Sequence, residues 1–259
     1  MDFSDPQQRA AFFELHSGLP REGPGNREST ARALALAGAL PPAPRVLDIA
    51  CGPGMQTMDL ASLLPAARIA AVDLHEPYVE ELRRRAEAAG AADRIEALQA
   101  DMRALPYAPG SFDLIWCEGA AYIMGVGSAL RAWRPLLRAG GKLALTEAVW
   151  LKPNPPEPVR RCWAEYSDMR DIEFSRALVR DCGYELLGDF VLPDAAWWDD
   201  YYGPKEKRLL ELQPIHAGDP IAAAILGECQ NDLDVHRKYS GYYGYVFLVL
   251  ALPNRATPR

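Results

Sequence analysis

Val46-Leu47-Asp48-Ile49-Ala50-Cys51-Gly52-Pro53-Gly54 is an apolar run that meets a carboxylate and then breaks into a glycine-containing turn. Val46, Leu47 and Ile49 suit a strand covered on both faces, while Gly52 and Gly54 permit backbone angles and a close approach that a side chain would prevent. From Met55 to Leu64 the apolar residues fall at helical spacing. The unit therefore reads strand, glycine turn, helix, with something bound against the turn.

Two details narrow what is bound. A dinucleotide loop of the form G-x-G-x-x-G would place a third glycine at position 57, where this chain has Thr57, and would not need Asp48 at the strand end. An acidic residue ahead of a G-x-G turn resembles instead the first motif of the class I S-adenosylmethionine-dependent methyltransferases. Their ligand carries an ammonium, a carboxylate and a sulfonium but no phosphate. The resemblance implies that the backbone from Cys51 to Gly54 lies along the methionine moiety, with Asp48 near its ammonium end.

With 259 residues the chain is long enough for one large α/β domain with an appended lobe. A formal charge of -7 gives no electrostatic footprint for nucleic acid or an anionic membrane, and the run Arg83-Arg84-Arg85 reads as a solvated helix face. The longest apolar run, Val246 to Leu252, is too short to span a bilayer, and the polar N-terminal residues lead us to expect a cytoplasmic protein. Five cysteines without a C-x-x-C pair and four scattered histidines imply free thiols and no metal site.

Along the chain, Asp5-Pro6 opens a first helix that Gly18 and Pro20 close, and Asn26 caps a second helix running to about Leu40. The proline- and glycine-rich link between them, Leu19 to Gly25, carries an Arg21-Glu22 pair. In many relatives of the family such a segment folds over the cofactor as a lid, which implies that Arg21 touches ligand. Arg68 to Leu74 is a second strand whose Asp73 lies 21 residues after Gly52. A carboxylate there accepts both hydroxyls of a ribose in nucleoside-binding α/β folds.

Arg94 to Ala100 is a third strand, and Asp101-Met102 after it resembles the family's adenine-binding corner. Ser111 to Glu118 is the fourth strand and Lys142 to Val149 the fifth, so that Glu118, Tyr122 and Glu147 emerge at carboxyl ends that line a ligand crevice. Lys152 to Pro158 reads as a rigid connector, Asp171 to Cys182 as a helix and Tyr184 to Leu192 as a sixth strand. Residues 194–240 read as a helical insertion, and Gly241 to Leu252 contains the last strand.

The whole therefore reads as an α/β fold: a Rossmann-like, seven-stranded, mostly parallel sheet with an antiparallel last strand, helices on both faces, an N-terminal helical lid and a helical insertion before the last strand. Residues 1–259 form a single domain, divided into N-terminal helices and lid (1–43), a cofactor-binding core (44–150) and a C-terminal half (151–259). The resemblance implies S-adenosylmethionine as cofactor and S-adenosylhomocysteine as product. It implies cofactor contacts at Arg21, Asp48, Ala50, Cys51, Gly52, Gly54, Gln56, Thr57, Asp73, Leu74, Asp101, Met102 and Glu118.

By position alone, Glu118, Tyr122 and Glu147 are the candidates for catalysis on a small-molecule acceptor. The overall pattern looks like the bacterial group named after ubiquinone/menaquinone C-methyltransferases. The tandem aromatics Trp197-Trp198 and Tyr201-Tyr202, with Trp150, are expected either to wall a cationic acceptor above Glu118 and Glu147 or simply to bury the insertion. An oxidoreductase using NAD or a nucleotide, and a noncatalytic binding module, are the rival readings. Thr57 argues against the first, and the intact Asp48, Gly52, Gly54, Asp73 and Asp101 against the second.

Overall fold

A computed structural model describes residues 5–166 and 169–253. The central motif is β1 (Arg45–Ile49), buried from Val46 onward, followed by the glycine turn and α3 (Met55–Leu63). Ahead of it stand α1 (Pro6–His16), whose cap Asp5 accepts from the Gln7 and Gln8 amides, and α2 (Arg27–Ala37), whose cap Asn26 accepts from Ser29 N. The second helix stops at Gly38 (φ 70°), three residues short of the expected end near Leu40, because a residue in that backbone region cannot continue an α-helix.

Beyond the turn come β2 (Arg68–Asp73), α4 (Glu76–Ala88), β3 (Ile95–Gln99), β4 (Phe112–Glu118), α5 (Val126–Trp133) and β5 (Leu137–Trp150). The C-terminal half holds α6 (Glu157–Cys162), β6 (Arg170–Asp171), α7 (Ile172–Asp181) and β7 (Glu185–Val191). After these, α8 (Ala195–Trp197), a π-turn over Trp198–Tyr202, α9 (Gly203–Ile215) and α10 (Pro220–Tyr239) make up the insertion before β8 (Tyr243–Ala251).

The strands align in the order β3-β2-β1-β4-β5-β8-β7. The first five are parallel, and β8 runs antiparallel between β5 and β7. All seven expected strands are present. The two-residue β6 adds an eighth that pairs with the end of β5, a segment too short to leave a periodic signal in the sequence. The proline-rich stretch after Lys152 is likewise not only a connector, because Pro158 sits in the first turn of α6, where its missing amide costs nothing.

Two apolar layers flank the sheet. Leu60, Leu82, Ala33, Trp116 and Phe247 belong to one, with the insertion's Leu209 and Leu233 added to it. Leu130, Trp133, Val179, Leu145 and Leu248 belong to the other. Strand order reverses between β1 and β4, so the carboxyl ends of these strands open a crevice at the switch point. The lid and the insertion meet above this crevice, where Gly25 N donates to Ala196 O at 2.8 Å.

Candidate active site

The turn after β1 is tight. Ala50, Gly52 and Gly54 all have positive φ (56°, 53° and 89°). A Cβ on Gly54 would stand 2.4 Å from Leu82 Cδ1, so the close packing of α4 requires glycine there. A Cβ on Gly52 would instead point at Glu22 Cγ of the lid, 3.4 Å away. Gln56 Nε2 donates to Cys51 O at 2.8 Å and fixes the turn from below.

Asp48 is fully buried beneath this turn. Thr57 Oγ1 donates to its Oδ2 at 2.5 Å, while Oδ1 is buried without a partner. Thr57, where a dinucleotide loop would carry glycine, thus orients the acid of the strand. Burial pushes the Asp48 carboxyl up to about 8, with the Thr57 hydrogen bond working the other way and nearby Glu118 adding to the rise. A cation brought beside Oδ1 would restore the charge.

Asp73, at the end of β2, bridges backbone amides: Gly52 N donates to Oδ2 at 2.8 Å and His75 N to Oδ1 at 2.9 Å. The acid and the glycine turn are therefore in contact. Leu74 beside it is 62 % exposed, an apolar side chain with no cover of its own. Asp101 is half-buried and caps its own turn, accepting from Arg103 N at 2.8 Å, and Met102 O accepts from Trp133 Nε1 at 3.2 Å. Both residues stand on the loop after β3, beyond Gln99, which pairs in register with Asp73.

The lid is fastened by an ion-pair cluster. Arg21 is 2 % exposed; its Nη2 donates to Asp59 Oδ2 at 2.6 Å and its Nη1 to Glu118 Oε2 at 2.9 Å, with Asp200 Oδ2 at 3.9 Å from Nε. Glu118 Oε1 accepts from Trp116 Nε1 at 2.8 Å. Burial raises the carboxyls of Glu118 and Asp59, and Arg21 opposes the rise in both. Arg85 reaches the lid as well, donating to Pro20 O at 3.1 Å and Leu19 O at 2.9 Å. The run Arg83 to Arg85 is therefore not a solvated face throughout. Glu22 bonds His16 and lies over Gly52.

At the exit of β5, Glu147 is 7 % exposed and accepts from Tyr166 Oη at 2.5 Å through Oε1. Tyr122, just beyond β4, packs against Tyr166 with ring centroids 4.4 Å apart. Of the two readings of the insertion's aromatics, burial is the one its ring contacts mostly serve. Trp197 is buried and stacks on His236 at 4.2 Å, Arg237 lies over Trp198 at 4.8 Å, and Tyr201 stacks on Tyr202 at 4.7 Å. These rings mainly bury the insertion, with Trp197 5.5 Å from Tyr245, while Tyr122, Trp163, Tyr166 and Tyr245 gather near Glu147.

Comparison with known proteins bears directly on this arrangement. Residues 46–141 match the family model described as a methyltransferase domain. A solved S-adenosylmethionine-dependent methyltransferase from Geobacter sulfurreducens, in complex with S-adenosyl-L-homocysteine, has the same fold. The TM-score is 0.79 at 22% identity, covering 96% of this chain and 98% of that one. Residues 46–141 thus resemble a methyltransferase domain in sequence, and the whole chain shares the fold of that solved structure.

Among curated relatives, malonyl-[acyl-carrier protein] O-methyltransferase of Legionella pneumophila is 29% identical over 138 residues, 49% of this chain and 46% of that protein. A ubiquinone/menaquinone biosynthesis C-methyltransferase of Paracoccus denitrificans is 36% identical over 103 residues, 39% and 41% of the two chains. The chain thus spans less than half the length of these two relatives.

Within residues 46–141, the sequence located the turn and its acids but missed Asp59, whose only signal was a carboxylate on the buried side of α3. It also missed Trp163 and Tyr166, which follow a proline-rich stretch and carry no motif. A lone arginine in a glycine–proline link was the clue to a buried acidic partner, since a guanidinium is not left buried and unpaired.

Proposed function

We propose that the chain is an S-adenosylmethionine-dependent methyltransferase acting on a small-molecule acceptor. The observation that carries this reading is the contact of the Asp73 carboxylate with the Gly52 amide at the crevice, beside a buried Asp48 that keeps one oxygen unpartnered. The residues fit the cofactor. An unpaired buried acid suits an ammonium, a glycine turn suits an extended methionine moiety, a strand-end acid suits a ribose, and exposed Leu74 suits an adenine face.

When bound, the cofactor supplies a methyl group on sulfur that is already activated for displacement. The chain's own part is then to hold the acceptor in line, exclude water and take a proton where one is released. Arg21 does the second of these indirectly: by tying β4 and α3 to the lid it closes the crevice from the side of Gly52 and Gly25. Asp48 and Asp73 bind and orient. A net charge of -7 suits a small acceptor rather than nucleic acid. All five cysteines are free, which supports a reducing, cytoplasmic setting.

Titration calorimetry with S-adenosylmethionine, S-adenosylhomocysteine and NAD tests the reading. Binding of the first two and not of NAD is expected. Binding of NAD alone would replace the methyltransferase by the oxidoreductase alternative, against which Thr57 bonded to Asp48 already argues.

A further inference from the structure

Glu147 is nine-tenths buried, and its two oxygens differ. Oε1 accepts from Tyr166, and Oε2 is buried with no hydrogen-bond partner. Among the described residues no lysine or arginine pairs with it. The surroundings are aromatic: the Tyr166 ring lies 4.4 Å from Tyr122 and 5.7 Å from Trp163, which in turn lies 6.4 Å from Tyr245. Tyr122 is 44 % exposed, so the cluster has an open side.

The cluster also stands in the right place. Glu147 follows Thr146, the register partner of Glu118, and Tyr122 leaves β4 four residues beyond Glu118. Both lie at the carboxyl ends of neighbouring parallel strands, where the ligand crevice of such a sheet opens. A buried carboxylate oxygen without a donor is costly, and the group it lacks is an N–H or O–H.

We propose that Glu147, held by Tyr166 and ringed by Tyr122, Trp163 and Tyr245, binds the nitrogen of an amine acceptor and takes its proton during methyl transfer. The inference rests on the methyltransferase reading. The choice of amine follows from charge. A phenolate or thiolate would bring negative charge beside an unneutralised carboxylate and the negative faces of aromatic rings. An amine nitrogen becomes positive as it attacks, and the same groups then stabilise it.

The amine lone pair forms the N–CH3 bond as the S–CH3 bond breaks, with that electron pair going to sulfur. The N–H proton of the resulting ammonium passes to Glu147 Oε2, leaving a methylated neutral amine, a thioether and a protonated carboxyl. Burial holds the Glu147 carboxyl at about 7, which the Tyr166 hydrogen bond moderates, so the group is poised to accept and release a proton near neutrality. The other titratable groups facing the cluster are Tyr122, Tyr245, Cys117, Tyr201 from the insertion and, beside Tyr122, Glu165.

The test is methyl transfer from labelled S-adenosylmethionine to a size-matched panel: glycine, ethanolamine, benzylamine and tyramine against p-cresol and benzyl mercaptan. Parent, Glu147→Gln and Tyr166→Phe are compared, with cofactor affinity measured in parallel by calorimetry. Methylation confined to amines is expected, with kcat/KM rising through about pH 7 in the parent. At least a tenfold loss with Glu147→Gln at unchanged cofactor affinity is expected as well, on the order of the contribution of a general base.

Turnover of the phenol or thiol alone, no amine turnover while cofactor binds, or an amine rate unchanged in Glu147→Gln would each overturn the proposal. Intact cofactor binding in those cases leaves the methyltransferase reading standing. Loss of cofactor binding by the parent itself would sink the broader reading first.

Discussion

Arg21 Nη1 and Glu118 Oε2 lie 2.9 Å apart across 97 residues of sequence, joining the lid to the end of β4 in a site where both side chains are less than a tenth exposed. With Asp59 on the second Nη, one guanidinium neutralises two buried acids. Arg21→Ala leaves Glu118 uncompensated and Asp59 with only Arg27, 3.7 Å away, and breaking such a buried pair costs about 3–5 kcal/mol. Urea denaturation should show a loss of that order. Hydrogen exchange at Gly25 N, now bonded to Ala196 O, should accelerate beyond the change in global stability. Exchange that tracks only global unfolding would mean the arginine does not hold the lid.

Gly25 offers a finer probe of the same contact. A Cβ there would stand 2.5 Å from Glu118 Oε2 and 2.9 Å from Arg21 Nη1, whereas Gly23 has nothing within 4 Å of the equivalent point. Gly25→Ala should therefore cost about 1–3 kcal/mol by overpacking. Gly23→Ala should fall within about 0.5 kcal/mol of the parent. Equal effects in thermal denaturation would contradict the tight seat described for the lid.

The two halves of the site differ in how legible they were. Asp48, Gly52, Gly54 and Asp73 sit at strand ends and in a turn, where backbone direction alone dictates what a side chain faces, so position in sequence translated into position in space. Glu118 was placed correctly at its strand end, yet its role in the lid depended on Arg21, a contact no local pattern encodes. The insertion was the more ambiguous. Tandem aromatics such as Trp197-Trp198 read as a pocket wall or, slightly better, as core, and contacts to His236 and Arg237 on α10 draw them into packing. Two of the rings around Glu147, Trp163 and Tyr166, follow α6, where four prolines between 153 and 158 masked a helix.

Asp73 accepts from two amides in the structure, so its replacement bears on both turn and ligand. Asp73→Ala should lower S-adenosylmethionine affinity at least about tenfold, since each hydrogen bond to a charged acceptor contributes roughly 1.5–3 kcal/mol. Asp73→Asn can keep one amide contact and should fold closer to the parent while still binding weakly. Unchanged affinity in both variants, read by calorimetry, would remove Asp73 from the binding site.

Asp48 makes a prediction about pH. Its carboxyl is pushed from 3.8 to about 8, first by burial and then by the charges of Glu118 and Asp73, against the Thr57 hydrogen bond and Arg21. A carboxyl that is harder to ionise when folded makes the folded state bind more protons than the unfolded chain. Its contribution to stability is therefore complete below about pH 4 and is lost as pH rises through about 8, with a slope of about 1.4 kcal/mol per unit between.

Asp48→Asn does not titrate and can keep the Thr57 contact, so its stability relative to the parent should climb over that window. Glu118 and Asp73, also raised by burial, are present in both proteins, so the difference reports Asp48 together with its coupling to them. Urea melts of the ligand-free proteins at intervals from pH 4.5 to 8 supply the measurement. A flat difference would mean that Asp48 is already ionised and paired within the fold, and the argument for its unsatisfied oxygen as an ammonium site would fall with it.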